Sequence, residues 1–203
     1  GNVVATINNT TFTMAEMDVV TDNTTLGTLS NAQVISLDIG NANFFAGSGA
    51  QLNTNRDAIL TDNAIGISAS ASFKLVSVKD GNDSYTGLQA TINNASLEGI
   101  NEVDLQIGGA LRYNTSNRID DEKIDWTTAT DSNNDPDDLL ADLNVSENIN
   151  LQVVNGTGSL NIGPGNVVAT INNTTFTMAE MDVVTDNTTL GTLSNAQVIS
   201  LDI

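Results

Sequence analysis

Residues 1–39, GNVVATINNTTFTMAEMDVVTDNTTLGTLSNAQVISLDI, recur letter for letter as residues 165–203. An exact recurrence constrains the fold more than any single motif, because a repeated unit that cannot bury its apolar face alone must bury it against its neighbours. The spacing divides the chain into residues 1–164, read as one complete β unit, and residues 165–203, read as the opening of the next. A unit of that length matches a single domain and can bury a core without disulfides. The shorter piece is too small to do so and must dock onto something, in its own chain or in another.

Inside the unit the apolar residues recur with period two, the mark of strands with one wet face. In AIGISASASFKLVSV, residues 64–78, the side chains of Ile65, Ile67, Ala69, Ala71, Phe73 and Leu75 share a face. The phase then slips to Val76 and Val78, which predicts a long strand with a bulge near Leu75. The triplets Ile35/Leu37/Ile39, Leu88/Ala90/Ile92, Val103/Leu105/Ile107 and Ile149/Leu151/Val153 alternate in the same way. These patterns predict a core of Val3, Ala5, Ile7, Ile35, Leu37, Ile67, Phe73, Leu88, Ile92, Leu105, Ile107, Leu151 and Val153. The fold class is all-β and elongated, a tandem β-sandwich first, with a β-solenoid or a long open sheet as alternatives. Only 4% of residues are aromatic, which suits a thin core filled by small side chains.

A weaker repeat lies within the unit. ATINNTTF at 5–12 resembles ATINNASL at 90–97, EMDV at 16–19 resembles EVDL at 102–105, and GSLNI at 158–162 precedes the copied block as ASFKL at 71–75 precedes ATINNASL. The unit thus reads as two diverged halves, each a long strand, a turn, and a strand ending in Asn-Asn. Turn signals stand at residues 80–83, at Gly108-Gly109, at Asn155-Gly156 and at Gly163-Pro164-Gly165, the last being the seam between units. Residues 136–143, PDDLLADL, are the one helix candidate, of at most two turns, with Pro136 and acidic residues where a helix begins.

The net charge of −19 argues against nucleic acid as a partner, since neutralising phosphates needs clustered Lys and Arg. Adjacent units of such charge repel unless cations intervene, which points to a divalent metal as a stiffener. The chain has neither Cys nor His. The usual means of acid–base and nucleophilic catalysis are therefore missing, and the expectation is no enzymatic activity and no catalytic residue. No stretch resembles a signal peptide, and no apolar run approaches the ~20 residues of a membrane span.

The sharpest local motif is DSNNDPDDLLAD, residues 131–142. Asp131, Asn133, Asp135 and Asp137 alternate so that a tight loop could wrap their oxygens around one hard cation, and Asp142 falls twelfth, where a calcium loop places its closing carboxylate. Pro136 replaces the usual Gly and Asp142 the usual Glu, so an isolated or dockerin-like calcium loop is a closer comparison than an EF-hand. Asp120, Asp121, Glu122 and Asp125 lie upstream as further candidate ligands. Asn-x-Ser/Thr sites at Asn8, Asn9, Asn23, Asn82, Asn94, Asn114, Asn144 and Asn155 are candidates for N-glycans.

Long alternating strands, an acidic surface rich in Gly, Asn, Asp and Thr, the absence of Cys and a long identical repeat resemble the repetitive middle region of giant bacterial surface adhesins, including the RTX-type adhesins. The resemblance covers the whole chain and rests on texture and periodicity; the G-G-x-G-x-D nonapeptides of RTX proteins are missing. It implies a repeated β-sandwich that extends a binding domain from the cell, often with calcium at the joints. The resulting expectation is an extracellular, cell-surface structural repeat whose partners are adjacent identical units. The alternatives are a filament subunit that polymerises by β-strand exchange and, third, a polysaccharide-binding module.

Overall fold

The computed structural model describes residues 1–100, 103–131, 139–163, 167–185 and 191–202, with Val167 and Val168 described in backbone alone. The strands are β1 (Asn2–Val20), β2 (Thr28–Ser48), β3 (Gln51–Leu52), β4 (Ile59–Leu60), β5 (Ile65–Asp80), β6 (Asp83–Glu98), β7 (Val103–Ser116), β8 (Thr130–Asp131), β9 (Ile149–Ile162), β10 (Val167–Val184) and β11 (Thr192–Asp202). Nine of them form one antiparallel sheet in the order β11-β10-β9-β7-β6-β5-β2-β1-β8, and β3 and β4 form a separate two-stranded ribbon. The all-β expectation holds. Within it the strands take the long-open-sheet arrangement, not closed into a barrel, and the second layer is reduced to the ribbon and the loops between β7 and β9.

Those additions cover one face of the sheet, called here the covered face, in two places. At one end Ile124, Trp126, Leu140, Leu143 and Val145 pack on Met17, Val19, Leu29, Val34, Val76, Val78 and Tyr85. Trp126 lies against Gly87, where an added Cβ would stand 2.5 Å from the indole nitrogen, so the site requires a residue with no side chain. The indole N–H donates to Asn114 Oδ1 at 2.9 Å, and Asn114 Nδ2 donates to the carbonyls of Ile124 and Ser146 at 2.9 and 3.0 Å. One buried amide thus satisfies three polar groups that the apolar cover would otherwise strand. At the other end the ribbon caps Phe45 together with Ala50 and Ala64. Between the two, the covered face carries a polar row, with Lys74 paired to Asp38 at 3.2 Å and Arg112 donating to Gln152 at 3.0 Å.

Three expectations are corrected here. Leu75 pairs with Leu88 and Val76 with Gly87 without a break, so there is no bulge near Leu75; the apolar residues of β5 change face, and the register shift lies at Ser70/Ala71. Asn-Asn does not end strands, and Gly108-Gly109 and Asn155-Gly156 are not turns. Asn8-Asn9, Gly108-Gly109, Asn155-Gly156 and Asn172-Asn173 all lie inside long strands. The shifts at Ile39/Ala42, Ser70/Ala71, Ile92/Ala95, Gly108/Ala110 and Ile171/Thr174 align them as a line of bulges across the sheet. Asn9, Asn155 and Asn173 take φ of 54°, 52° and 55°, a left-handed conformation that Asn tolerates and bulges use. Among the described residues there is no helix; Leu140 and Leu143 of the helix candidate are loop residues seated in the core. The expected turn at 80–83 does form, joining β5 to β6 with Asp80 opposite Asp83.

The half-repeat is partly visible in the register. Ala71 of ASFKL pairs with Ile92 and Gly158 of GSLNI with Ile171, the same step of the two ATINN blocks. The correspondence breaks at EMDV, which falls in β1, and at Val103–Leu105 of EVDL, which fall in β7.

Candidate assembly interface

The copied segment docks into the sheet it repeats. β10 pairs with the outer edge of β9 from Val167↔Asn161 to Ala179↔Ile149, and Glu180 N donates to the Asn148 carbonyl at 3.1 Å. Side chains reinforce the joint: Gln152 Nε2 donates to Thr177 Oγ1 at 3.1 Å, and Lys123 lies 3.6 Å from Glu180.

β1 has the same sequence as β10, and its outer edge meets only β8 among the described strands, at Val19↔Asp131 and Val20↔Thr130. The β1 positions equivalent to the β9-paired part of β10 are Val3 to Ala15, which β8 does not touch. One edge can therefore hold a β9 and a β8 side by side. β11, in turn, presents the edge that its twin β2 uses to pair with β5.

The open face of the sheet is the second feature. Two cross-strand rows cross all eight long strands: Thr10, Ile39, Phe73, Ala90, Leu111, Val153, Phe176, Leu201, and Phe12, Leu37, Leu75, Leu88, Tyr113, Leu151, Met178, Ile199. Every residue predicted as core belongs to this face, so the grouping is right. The burial is not: Val3, Ile7, Ile35, Ile67, Ile92 and Ile107 are exposed, Val3 at 78%, and Leu37, Phe73, Leu88, Leu105, Leu151 and Val153 are only partly buried. Alternation marks two faces and does not say which one a distant loop will cover. Tyr113 lies on the open face and Trp126 in the core.

Of the candidate calcium ligands, Asn133, Asp135 and Asp137 lie outside the described residues. Asp131 is 4% exposed, and its Oδ2 accepts from Leu139 N at 3.3 Å. Asp142 is exposed and lines a shallow pocket with Gln89, Thr127 and Asn144, which Asp131 does not line. No three acidic side chains among the described residues converge as a metal cluster. Three of the four upstream carboxylates, Asp120, Glu122 and Asp125, have other partners. Arg118 donates to both oxygens of Asp120, at 2.8 and 2.6 Å, and holds its carboxyl down to about 2. Glu122 accepts from Asn23 at 2.9 Å. Asp125 and Glu147 form a carboxylate pair. Burial pushes Asp125 up, but hydrogen bonds from Glu147 and Thr127 outweigh it and hold it below its ordinary value; the bond to Asp125, then burial, raise Glu147.

The glycan candidates divide as well. Asn9, Asn82, Asn94, Asn144 and Asn155 are exposed, whereas Asn114 is 1% exposed with its amide nitrogen committed, so the folded chain cannot carry a glycan there. No helix among the described residues is long and apolar enough to cross a membrane. The chain matches no protein-family model, no curated protein and no solved structure.

Proposed function

We propose that this chain is a structural repeat of an extracellular surface fibre or adhesin stalk, in which successive units join edge to edge in one continuous sheet. The observation that carries the reading is the docking of β10 on β9 while the identical edge of β1 stays open along Val3 to Ala15. A unit built this way receives its predecessor's β9 on β1 and offers its own β9 to its successor, so growth never exhausts the edges. Calcium at the 131–142 loop, held through Asp131 where β8 meets β1, would offset the acidic surface at the joint.

The same open edge supports a second reading, a filament subunit. Because each β9 is occupied by its own β10, separate chains can join this way only by exchanging the β10–β11 hairpin. Images of chains built with two, four and six units distinguish the readings. Edge-joined units lengthen the particle by about 29 Å each, six strand spacings. A string of separate beads, or no growth in length, would refute the continuous sheet. Antibodies to the unit should label intact source cells; labelling seen only after permeabilisation would refute the surface location.

A further inference from the structure

From β1 to β7 the open face of the sheet carries six successive cross-strand rows without a charged residue. Besides the two long rows they include Val3/Ala46/Ile67/Leu97, Ala5/Phe44/Ala69/Ala95/Ile107/Ile171, Ile7/Ala42/Ala71/Ile92 and Met14/Ile35/Ser77/Thr86/Thr115. On β1, β2 and β5 the first charges appear one row further on, in Glu16/Gln33/Lys79, and on β10 Glu180, paired with Lys123, closes the sixth row. For a chain of net charge −19 this is a strong segregation. Phe12, Met14, Ile67, Ile107, Ile171 and Ile199 are 59%, 69%, 49%, 45%, 53% and 65% exposed on it. We propose that a second copy of this chain packs its own open face against this one, completing a two-layer β-sandwich between copies.

Size supports that occupant. Eight strands at about 4.8 Å spacing and ten residues at about 3.3 Å rise give a patch of roughly 1,100 Å² per copy. A stable dimer needs about 800 Å² per partner. Charge supports it too. Two copies meeting here keep their acidic groups on the outer, covered faces and at the rims, whereas an anionic lipid surface would be repelled by those same groups.

Shape makes the face complementary to itself. Along the line of bulges Gly109, Gly156 and Gly158 leave a groove of about 750 Å³, bordered by Ile107, Ile171 and Leu111. The groove lies two residues along the strand on one side of the Phe73–Ala90–Leu111–Val153 row. The ridge of Leu88, Tyr113 and Leu151 lies two residues away on the other side. A twofold axis along the middle row sets each copy's ridge into the other's groove, about 7 Å from the axis. Sheets packed in this way lie about 10 Å apart with their side chains interdigitated. The two long rows continue unbroken across β9–β10 into the copied segment, so the pairing can extend along an array. The dimer of one chain does not depend on the edge-joining reading above.

The test is the mass of the full 203-residue chain in sedimentation equilibrium, across micromolar to submillimolar concentration. A dimer is expected that tightens with added salt, and that Leu111→Asp weakens about 30-fold or more, as for a central anchor of an interface. Because the chain has no cysteine, single cysteines give an independent readout. Leu111→Cys, at the axis, should be linked into a dimer by a short bifunctional thiol crosslinker that spans the roughly 10 Å between facing sheets, and Gln152→Cys, on the opposite face, should not. A chain that stays monomeric throughout overturns the proposal and leaves the face to another partner, such as an uncharged lipid surface. A dimer that survives Leu111→Asp and is not trapped by Leu111→Cys overturns it equally and places self-association at the strand edges.

Discussion

In residues 1–39 Met17 and Leu29 are 9% and 4% exposed, whereas their counterparts Met181 and Leu193 in residues 165–203 are each 42% exposed. The local structure is nevertheless the same. Asn31 N donates to Asp18 at 2.8 Å and Asn195 N to Asp182 at 2.9 Å, and Thr21 and Thr185 each donate to the glycine carbonyl six residues on at 2.8 Å. Both copies are hairpins with a register shift at the same step, Met17/Val19 and Met181/Val183. What differs is the neighbour. The loop bearing Ile124 and Trp126 covers the first copy and does not reach these residues of the second. Short-range bonds thus belong to the segment, and burial belongs to its surroundings.

Removing the cover should make the first copy resemble the second. Trp126→Ala empties the largest side chain from the cover and leaves Asn114 Oδ1 without its donor, so it should cost about 3–5 kcal/mol in denaturant unfolding. It should also raise hydrogen exchange in β1 and β2; an unchanged midpoint would mean that the cover is not what buries this end. The comparison can also be made at one position in two places. Leu29→Ala should cost about 2–5 kcal/mol. Leu193→Ala, the same change in the same local sequence, should stay within about 0.5 kcal/mol. Equal effects would show that the second copy is covered in solution.

The smallest effect concerns the Asp125–Glu147 pair, which sits on the cover. The folded chain holds Glu147 above its ordinary value, so it binds a proton more tightly than the unfolded chain does. This contribution to stability is present at low pH and is lost as pH rises from the ordinary glutamate range through the raised value. Asp125 is held down and acts oppositely, losing its contribution only as pH falls below the ordinary aspartate range. Glu147→Gln should therefore stabilise the chain at neutral pH by less than about 1 kcal/mol, and the gain should vanish at pH values where Glu147 is already protonated. A gain that is independent of pH would exclude charge repulsion as its cause.

Much of this was legible in the residues, and the failures have a common physical cause. Period two identified the strands and grouped Ile35, Ile67, Phe73, Leu105 and Val153 on one face, because alternation is a local property. It could not choose between that face and the one holding Val34, Val76 and Val78, since both are apolar and the choice is made by Trp126, far along the chain. In the sequence the Asn-Asn and Asn-Gly steps read as strand ends and a turn, but the left-handed conformation that Asn9, Asn155 and Asn173 take serves a turn or a bulge alike, and only the pairing of neighbouring strands decides which. The docking of 165–203 followed from its small size. Its place beside β9 did not, because nothing in the copied segment names the strand it joins. The calcium loop stays an expectation from spacing, with Asp131 in the structured edge and Asn133, Asp135 and Asp137 outside the described residues.

Sequential hairpins laid side by side give the sheet an unusual response to tension. β5 and β6, residues 65–98, are neighbours in chain and in space, joined by a two-residue turn. Folded, the pair adds about 10 Å across the sheet, two strand spacings. Drawn straight, it spans about 110 Å. A pull on the two chain ends would unfasten such pairs one after another, each yielding at the strength of a single ladder end, so that a thread built this way would pay out length under sudden load and refold when slack.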